Sequence, residues 1–272
     1  MVSNSARHEA SIEQVLLRAA VPAIVTWSFI PLTFMLPTID STRSPYFDLT
    51  QTFSQLAYWL SQSGGKLGVP IVAVMMLMLL VTREGITSQR RWKESSVVVL
   101  IAVFCAGGGA ALNENIVKAQ LKIPRPNIIW LAGVNGAGPL GVTPEDFYAS
   151  GDKEARRKPL AKVLRSVPRP VALSSSIEAH WIEETGYSLP SGHSFSAMFF
   201  ATFFLTMAAT YLTTKRLWMF YALLPWALAV CYSRPILRVH TPTDITLGGL
   251  QGLALGLVAW AVARTLIRRF TW

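Results

Sequence analysis

A chain of 272 residues with 51% hydrophobic and 15% charged side chains, and a mean hydropathy of +0.38, is too apolar for an ordinary water-soluble domain. Its formal charge of +10 is dispersed among apolar runs, which argues against a nucleic-acid partner and for membrane topology. Cys105 and Cys231 both fall inside such runs and read as small packing residues, so they give no redox clue.

Six uncharged runs, roughly 19–37, 67–82, 96–112, 194–213, 217–232 and 245–263, come near the ~17–25 residues that a helix needs to cross hydrocarbon. Arg7 and Arg18 lie ahead of the first, but no small-x-small site follows Leu36-Pro37, so it is expected to be an uncleaved anchor. Residues 51–63 place Phe53, Leu56, Ala57 and Leu60 at helical spacing. They predict a short amphipathic helix in the outer interface with Tyr58 and Trp59 as belt residues, or a lip guiding lipid toward a site. The second run is short, and its start is loosely defined behind Gly64, Gly65 and Lys66. In the third, Gly107-Gly108-Gly109 allow close packing or a bend. Between about 127 and 185 the chain mixes Pro, Gly and charge over too great a length for a bare connector, which predicts a small cap with helix near 144–165. The fifth run is also short and can extend into the residues after it. In the sixth, Gly248, Gly252 and Gly256 give a smooth strip for helix packing.

Short basic loops set the orientation. Arg83, Arg90, Arg91 and Lys93 lie between runs two and three, Lys215 and Arg216 between four and five, and Arg264, Arg268 and Arg269 after six. These connections and both termini are expected on the cytoplasmic side. The long 113–193 loop then faces outward despite ten Lys and Arg of its own, because long loops translocate largely regardless of charge. The expected fold is all-α: one integral-membrane domain over 1–272, a six-transmembrane-helix bundle with a cap between helices 3 and 4.

Three short motifs fall on that outer side. Lys118 is followed after six residues by Arg125-Pro126; Pro190-Ser191-Gly192-His193 precedes run four; and Ser233-Arg234, His240 and Asp244 join runs five and six. A phosphate ester keeps its negative charge through transfer, so a site without bound metal needs fixed cations and backbone N–H donors around its oxygens. Lys118, Arg125 and Arg234 supply the first, and Ser191 and Gly192, at a helix N-terminus, supply hydroxyl and amide donors. His193 and His240 can divide attack and proton transfer, because imidazole titrates near neutrality. Asp244, four residues from His240, can hold one of its ring nitrogens and leave the other free to attack. Thr241-Pro242 reads as a helix cap followed by proline at the first position.

The plainer readings are snorkelling for Lys118, Arg125 and Arg238, with headgroup contact a second option for Arg238. Asp244 would then be a first-turn acid, and His8 and His180 hydrogen-bonded packing residues. Glu184, just before the second motif, either meets a headgroup, helps a proton transfer or caps a loop helix.

Read together, K-x6-R-P, P-S-G-H and S-R-x5-H-x3-D resemble the signature of the type 2 phosphatidic acid phosphatase family, which shares its fold and site with vanadium haloperoxidases. The stretches "PRPNIIWL", "EDFY" and "HWIEETGYSLPSGH" look like its bacterial phosphatidylglycerophosphatase B branch over roughly residues 110–250, with a looser likeness in the first hundred residues. The resemblance implies His240 as nucleophile, Asp244 as its orienting partner and His193 as general acid. It also implies Lys118, Arg125, Ser191, Gly192 and Arg234 as phosphate ligands, with Pro126 shaping the turn. Ser194 stands where the family often has Thr, which retains the hydroxyl.

The activity implied is that of a lipid phosphatase without metal or cofactor, working through a phosphohistidine at the periplasmic face of a bacterial inner membrane. Its substrates would be phosphatidylglycerophosphate, undecaprenyl diphosphate, phosphatidate and related lipids. The partners expected are a membrane lipid and the bilayer, with no nucleic acid. Three rivals share the pocket: a haloperoxidase, which would be soluble; a lipid-phosphate transporter or flippase, which would favour charges mid-span; and a lipid phosphotransferase.

Overall fold

The computed structural model describes residues 9–36 and 48–270; Arg7, His8 and Pro37, used above, lie outside them. All regular structure among the described residues is helical. In chain order the helices are α1 (Ile12–Met35), α2 (Thr52–Ser63), α3 (Gly68–Val81), α4 (Ser88–Leu112), α5 (Pro126–Ala132), α6 (Pro144–Ala149), α7 (Lys153–Leu164), α8 (Ser175–Glu183), α9 (Gly192–Tyr211), α10 (Thr214–Tyr221), α11 (Leu223–Ile236) and α12 (Pro242–Phe270). Among the described residues four helical stretches are long and apolar enough to cross a membrane: α1, the stretch that begins with α4, α9 and α12. The pair α2 and α3, bent by 61° at their junction, makes a fifth if counted as one span. The fifth run of the sequence is two helices, α10 and α11, broken at Ala222, and α11 continues through Ser233 and Arg234.

Local chemistry sets the helix ends. Ser11 and Gln14 cap each other's backbone at 3.1 Å to start α1. Pro22 cannot donate to the carbonyl four residues back, and that carbonyl, on Arg18, accepts the Tyr221 hydroxyl at 2.5 Å instead. The far end of α4 loosens into a π turn, Asn113–Val117, and a last turn, Lys118–Leu121, which closes on left-handed Lys122. Pro126 then opens α5 at its first position. Thr241 accepts the Asp244 N–H at 3.2 Å and Pro242 begins α12, as the sequence predicts.

α9 is the central post, nearly all of it buried, and its closest neighbour is α12. Lipid tails are as apolar as Phe or Leu, so this contact depends on tight fit rather than on removal from water. The glycine strip supplies the fit: a Cβ at Gly248 would meet the Ser191 carbonyl, one at Gly252 would lie 2.9 Å from Phe199 N, and one at Gly256 would lie 3.0 Å from Phe199 O. Phe199 and Phe203 stack on the same post at 5.8 Å. Of the three glycines in α4, only Gly109 packs this closely, against the Phe195 ring.

The segment from α5 to α8, the expected cap, packs around a core of its own. Ile128, Leu131, Phe147, Leu160, Ile177 and Trp181 pack together and onto Leu237 and Val239, and Trp181 Nε1 donates to the Leu237 carbonyl at 2.9 Å. The helix expected near 144–165 is two helices, α6 and α7, started by Thr143 and Asp152 as caps. Two expectations are corrected. Tyr58 is not a belt residue but packs under the cap, edge-on to His180 at 5.8 Å, while Trp59 alone is well exposed. Arg238 does not snorkel: it is buried, with a left-handed backbone at φ 61° whose carbonyl accepts the Asn127 N–H at 3.0 Å.

Candidate active site

The seam between the cap core and the membrane-type core gathers the three motifs. His240 sits in the turn between α11 and α12, 2% exposed. Its Nε2 lies 3.1 Å from Arg125 Nη1 and its Nδ1 lies 3.3 Å from Asp244 Oδ2. A guanidinium has only donors, so Nε2 must offer its lone pair and Nδ1 must carry the hydrogen. Burial, then the Arg125 charge, hold His240 at about 3, which keeps the ring neutral at physiological pH. Asp244 Oδ2 also accepts the Thr241 N–H at 2.7 Å, so the carboxylate is fixed by the turn as well as by the ring.

Arg125 is held rigidly from four sides. Its Nε donates to Gly186 O at 2.8 Å, Nη1 to Val239 O at 2.9 Å, and its backbone N–H to the Tyr148 hydroxyl at 3.1 Å, while Nη2 pairs with Glu184 Oε2 at 2.6 Å. Arg234 is completely buried, with Nη1 on Ser61 Oγ and 3.2 Å from His180 Nε2, and Nη2 on Glu184 Oε1 at 3.2 Å. One carboxylate, that of Glu184, therefore lies between the two arginines. Burial acts to raise its pKa, but Arg125 and then Arg234 outweigh that and hold it well below the usual carboxylate range. Glu184 also ends α8, its N–H reaching the His180 carbonyl at 3.1 Å, so the loop-capping and site readings of this residue meet in one place.

Ser191 caps α9, accepting the Ser194 N–H at 3.3 Å, and its own N–H donates to the Asp244 carbonyl at 3.0 Å. Gly192 has open space where a side chain would stand. His193, the second residue of α9, is half-buried and within electrostatic reach of Glu184, Arg234 and His240. The bend between α2 and α3 passes beside it: a Cβ on Gly65 would come within 3.1 Å of its Nε2. Lys118 is buried and lies within electrostatic reach of Arg125 and Glu184, but its ammonium is paired with Glu114 at 3.1 Å. Glu114 also pairs with Lys153 of the cap. Of the predicted residues, His240, Asp244, Arg125, Arg234, Glu184 and Ser191 are thus linked directly, His193 and Gly192 border them, and Lys118 is turned toward Glu114.

Sequence reasoning missed four contributors. Ser61 and His180 hold Arg234, Tyr148 holds the Arg125 backbone, and Ser188 touches both His240 and Asp244. Tyr148 lies inside "EDFY", and His180 and Ser188 inside "HWIEETGYSLPSGH", whereas Ser61 carried no signal. His180 is a hydrogen-bonded residue as expected, but its partner is a site arginine; burial, then the Arg234 charge, keep it neutral at about 4.

An apolar groove of about 350 Å³ runs beside the site between α2 and α11, lined by Phe53, Leu56, Leu60, Leu228, Tyr232 and Ile236 among others. The apolar face marked by the helical spacing of residues 51–63 is the wall of this groove. Ser233, next to Arg234 in the chain, is part of its lining.

Residues 96–268, well over half the chain and including all three motifs, match the PAP2 superfamily. The chain belongs to the PAP2 superfamily. It is similar to phosphatidylglycerophosphatase B of Escherichia coli (strain K12), 31% identical over 149 residues, or 54% of each chain. It is likewise 31% identical to phosphatidylglycerophosphatase B of Haemophilus influenzae over 150 residues, 53% of this chain and 54% of that protein. The chain spans about half the length of the curated relatives it matches. As a PAP2 chain it thus carries the superfamily's sequence from within α4 to α12, the part that holds all three motifs, while Ser61, Gly65 and the α2 wall of the groove come from outside it.

Proposed function

We propose that this PAP2 chain is a metal-independent lipid phosphatase that removes a phosphate from a phosphomonoester or diphosphate headgroup through a phosphohistidine on His240. The observation that carries the reading is the His240 ring: Nδ1 faces Asp244 at 3.3 Å, while the Nε2 lone pair opens toward a guanidinium of a two-arginine cradle. Phosphate oxygens would take the seat between Arg125 and Arg234 that the Glu184 carboxylate now fills, with Lys118, Ser191 and the Gly192 N–H completing the cradle. Nε2 attacks phosphorus as the bond to the leaving oxygen breaks, and His193 gives that oxygen its proton. Asp244 steadies the cationic ring; water, deprotonated by His193, then cleaves the N–P bond and restores both histidines.

A lipid substrate is supported by the groove beside Arg234, whose lining can take an acyl or prenyl chain while the head reaches the arginines. Similarity to phosphatidylglycerophosphatase B favours phosphatidylglycerophosphate, with undecaprenyl diphosphate and phosphatidate as further substrates. The same reading has six spans, α10 and α11 together forming the fifth, and a cap facing the periplasm of a bacterial inner membrane with both termini cytoplasmic. Arg91 and Arg216, which donate to carbonyls at the C-terminal end of α3, support it: such basic clusters mark the inner side.

His240→Ala should abolish phosphate release from a lipid monoester in detergent and leave no acid-labile phosphoenzyme after rapid quench. Full activity, or a persistent phosphoenzyme, in that variant would remove His240 from the role.

A further inference from the structure

Ser188 belongs to none of the three motifs, yet it bonds to residues of the first and third and lies just ahead of the second. It lies two residues before Pro190 of the second motif and is wholly buried. Its backbone N–H donates to the Ile123 carbonyl at 2.8 Å, which ties it to the segment that delivers Arg125. Its hydroxyl donates to Asp244 Oδ2 and stands 3.2 Å from His240 Nδ1, in the third motif.

The hydrogen positions follow from chemistry. With Arg125 donating to Nε2, the ring hydrogen is on Nδ1, where two acceptors wait at nearly equal range: Ser188 Oγ at 3.2 Å and Asp244 Oδ2 at 3.3 Å. A serine hydroxyl has one hydrogen, and here it is given to Asp244, so its lone pairs face the ring. Asp244 Oδ2 is already committed to the Thr241 N–H at 2.7 Å. The direct ring-to-carboxylate contact is the longest of these links, and the hydroxyl bridges it.

We infer that Ser188 is a positioning residue for His240, holding Nδ1–H as the middle link of a His240–Ser188–Asp244 chain that conveys the carboxylate's charge to the ring. The inference rests on the reading of His240 as nucleophile. Its effect grows as Nε2 bonds phosphorus: the ring becomes cationic, Nδ1–H becomes a stronger donor, and a hydroxyl polarised by its bond to Asp244 accepts it more strongly than an unbound hydroxyl would. The interaction therefore favours the transition state over the bound ground state, and its loss should appear in kcat and not in KM.

Ser188→Ala removes the hydroxyl and keeps the backbone bond to Ile123; Ser188→Thr keeps the hydroxyl. The chain in detergent, assayed on a short-chain lipid phosphomonoester, should lose about 10-fold in kcat in Ser188→Ala, the scale of one hydrogen bond to a charged group. KM and the affinity for inorganic phosphate should stay within about twofold, Ser188→Thr should recover most of the rate, and the downfield Nδ1–H proton resonance of His240 should move in Ser188→Ala only. If Ser188→Ala does not fold, Ser188→Cys, which keeps the volume with a weaker hydrogen bond, is read in the same way. Wild-type kcat in Ser188→Ala beside an inactive His240→Ala overturns this inference alone, as does an equal loss of rate and inorganic-phosphate affinity or an unmoved resonance. An active His240→Ala overturns the reading beneath it.

Discussion

Replacing Glu184 by Ala should make the empty protein less stable and more responsive to phosphate. The carboxylate pairs with Arg125 Nη2 at 2.6 Å and Arg234 Nη2 at 3.2 Å, and both arginines are 3% exposed or less. Removing one partner of a buried ion pair costs about 3–5 kcal/mol, because a desolvated charge is left behind. Here Gly186 O, Val239 O and the Ser61 hydroxyl remain as neutral acceptors, which argues for the lower end, about 3 kcal/mol. At roughly 2–4 °C per kcal/mol for a chain of this size, the melting temperature should fall by about 6–12 °C. An anion that takes the vacant seat restores the balance, and it no longer has to displace a resident carboxylate. Phosphate or vanadate should therefore raise the melting temperature of Glu184→Ala well beyond its effect on the parent, with a correspondingly smaller Kd by calorimetry. Equal melting temperatures for the two empty proteins, with the same phosphate response, would show that the carboxylate does not occupy the arginine pair in solution, and the argument would fail.

Acid should destabilise the fold before the carboxylates titrate. His180 and His240 are held neutral by burial, at about 4 and about 3, against 6.5 when free. The unfolded chain then binds more protons below pH 6.5, so stability is intact above that pH and declines by about 1.4 kcal/mol per pH unit for each histidine as pH falls toward those values. Melting curves from pH 7.5 to 4.5 check this, and a flat profile across pH 6.5 to 4.5 contradicts it. Gly252→Ala should part α9 from α12, since its Cβ would lie 2.9 Å from Phe199 N and closer still to the Phe195 carbonyl. Overpacking of that kind costs about 1–3 kcal/mol. Activity should fall with stability, because the two helices carry His193 and Asp244, whereas Gly107→Ala, which meets open space, should be neutral or slightly stabilising in thermal melts.

What could be read in advance divides according to how far the information travels along the chain. Apolar runs and caps are local, so the helical class, the Thr241-Pro242 start of α12 and the glycine strip were legible before any coordinates. The motifs stood out because their residue types suit the proposed phosphate chemistry, and the structure brings them to one seam. Three things were not legible, each because it depends on a tertiary meeting. Nothing in "YWLSQS" marks Ser61 as a ligand of Arg234, which is 173 residues away. His180 looked like an ordinary packing histidine because its partner comes from another helix. The break at Ala222 and the bend at Gly64-Gly65 interrupt runs that hydropathy alone reads as continuous or merely short, and the second places glycine where a side chain would crowd His193. Glu184 shows the limit most clearly. A glutamate at a helix end suits capping and suits a site equally well on local grounds, and only the convergence of Arg125 from the α4–α5 connection with Arg234 from α11 gives its carboxylate two buried cations to bridge. On the proposed function, the recognisable residues are those that would touch phosphate; the residues that hold the empty site together touch one another, and their identity depends on the packing of α5 to α8 against α11.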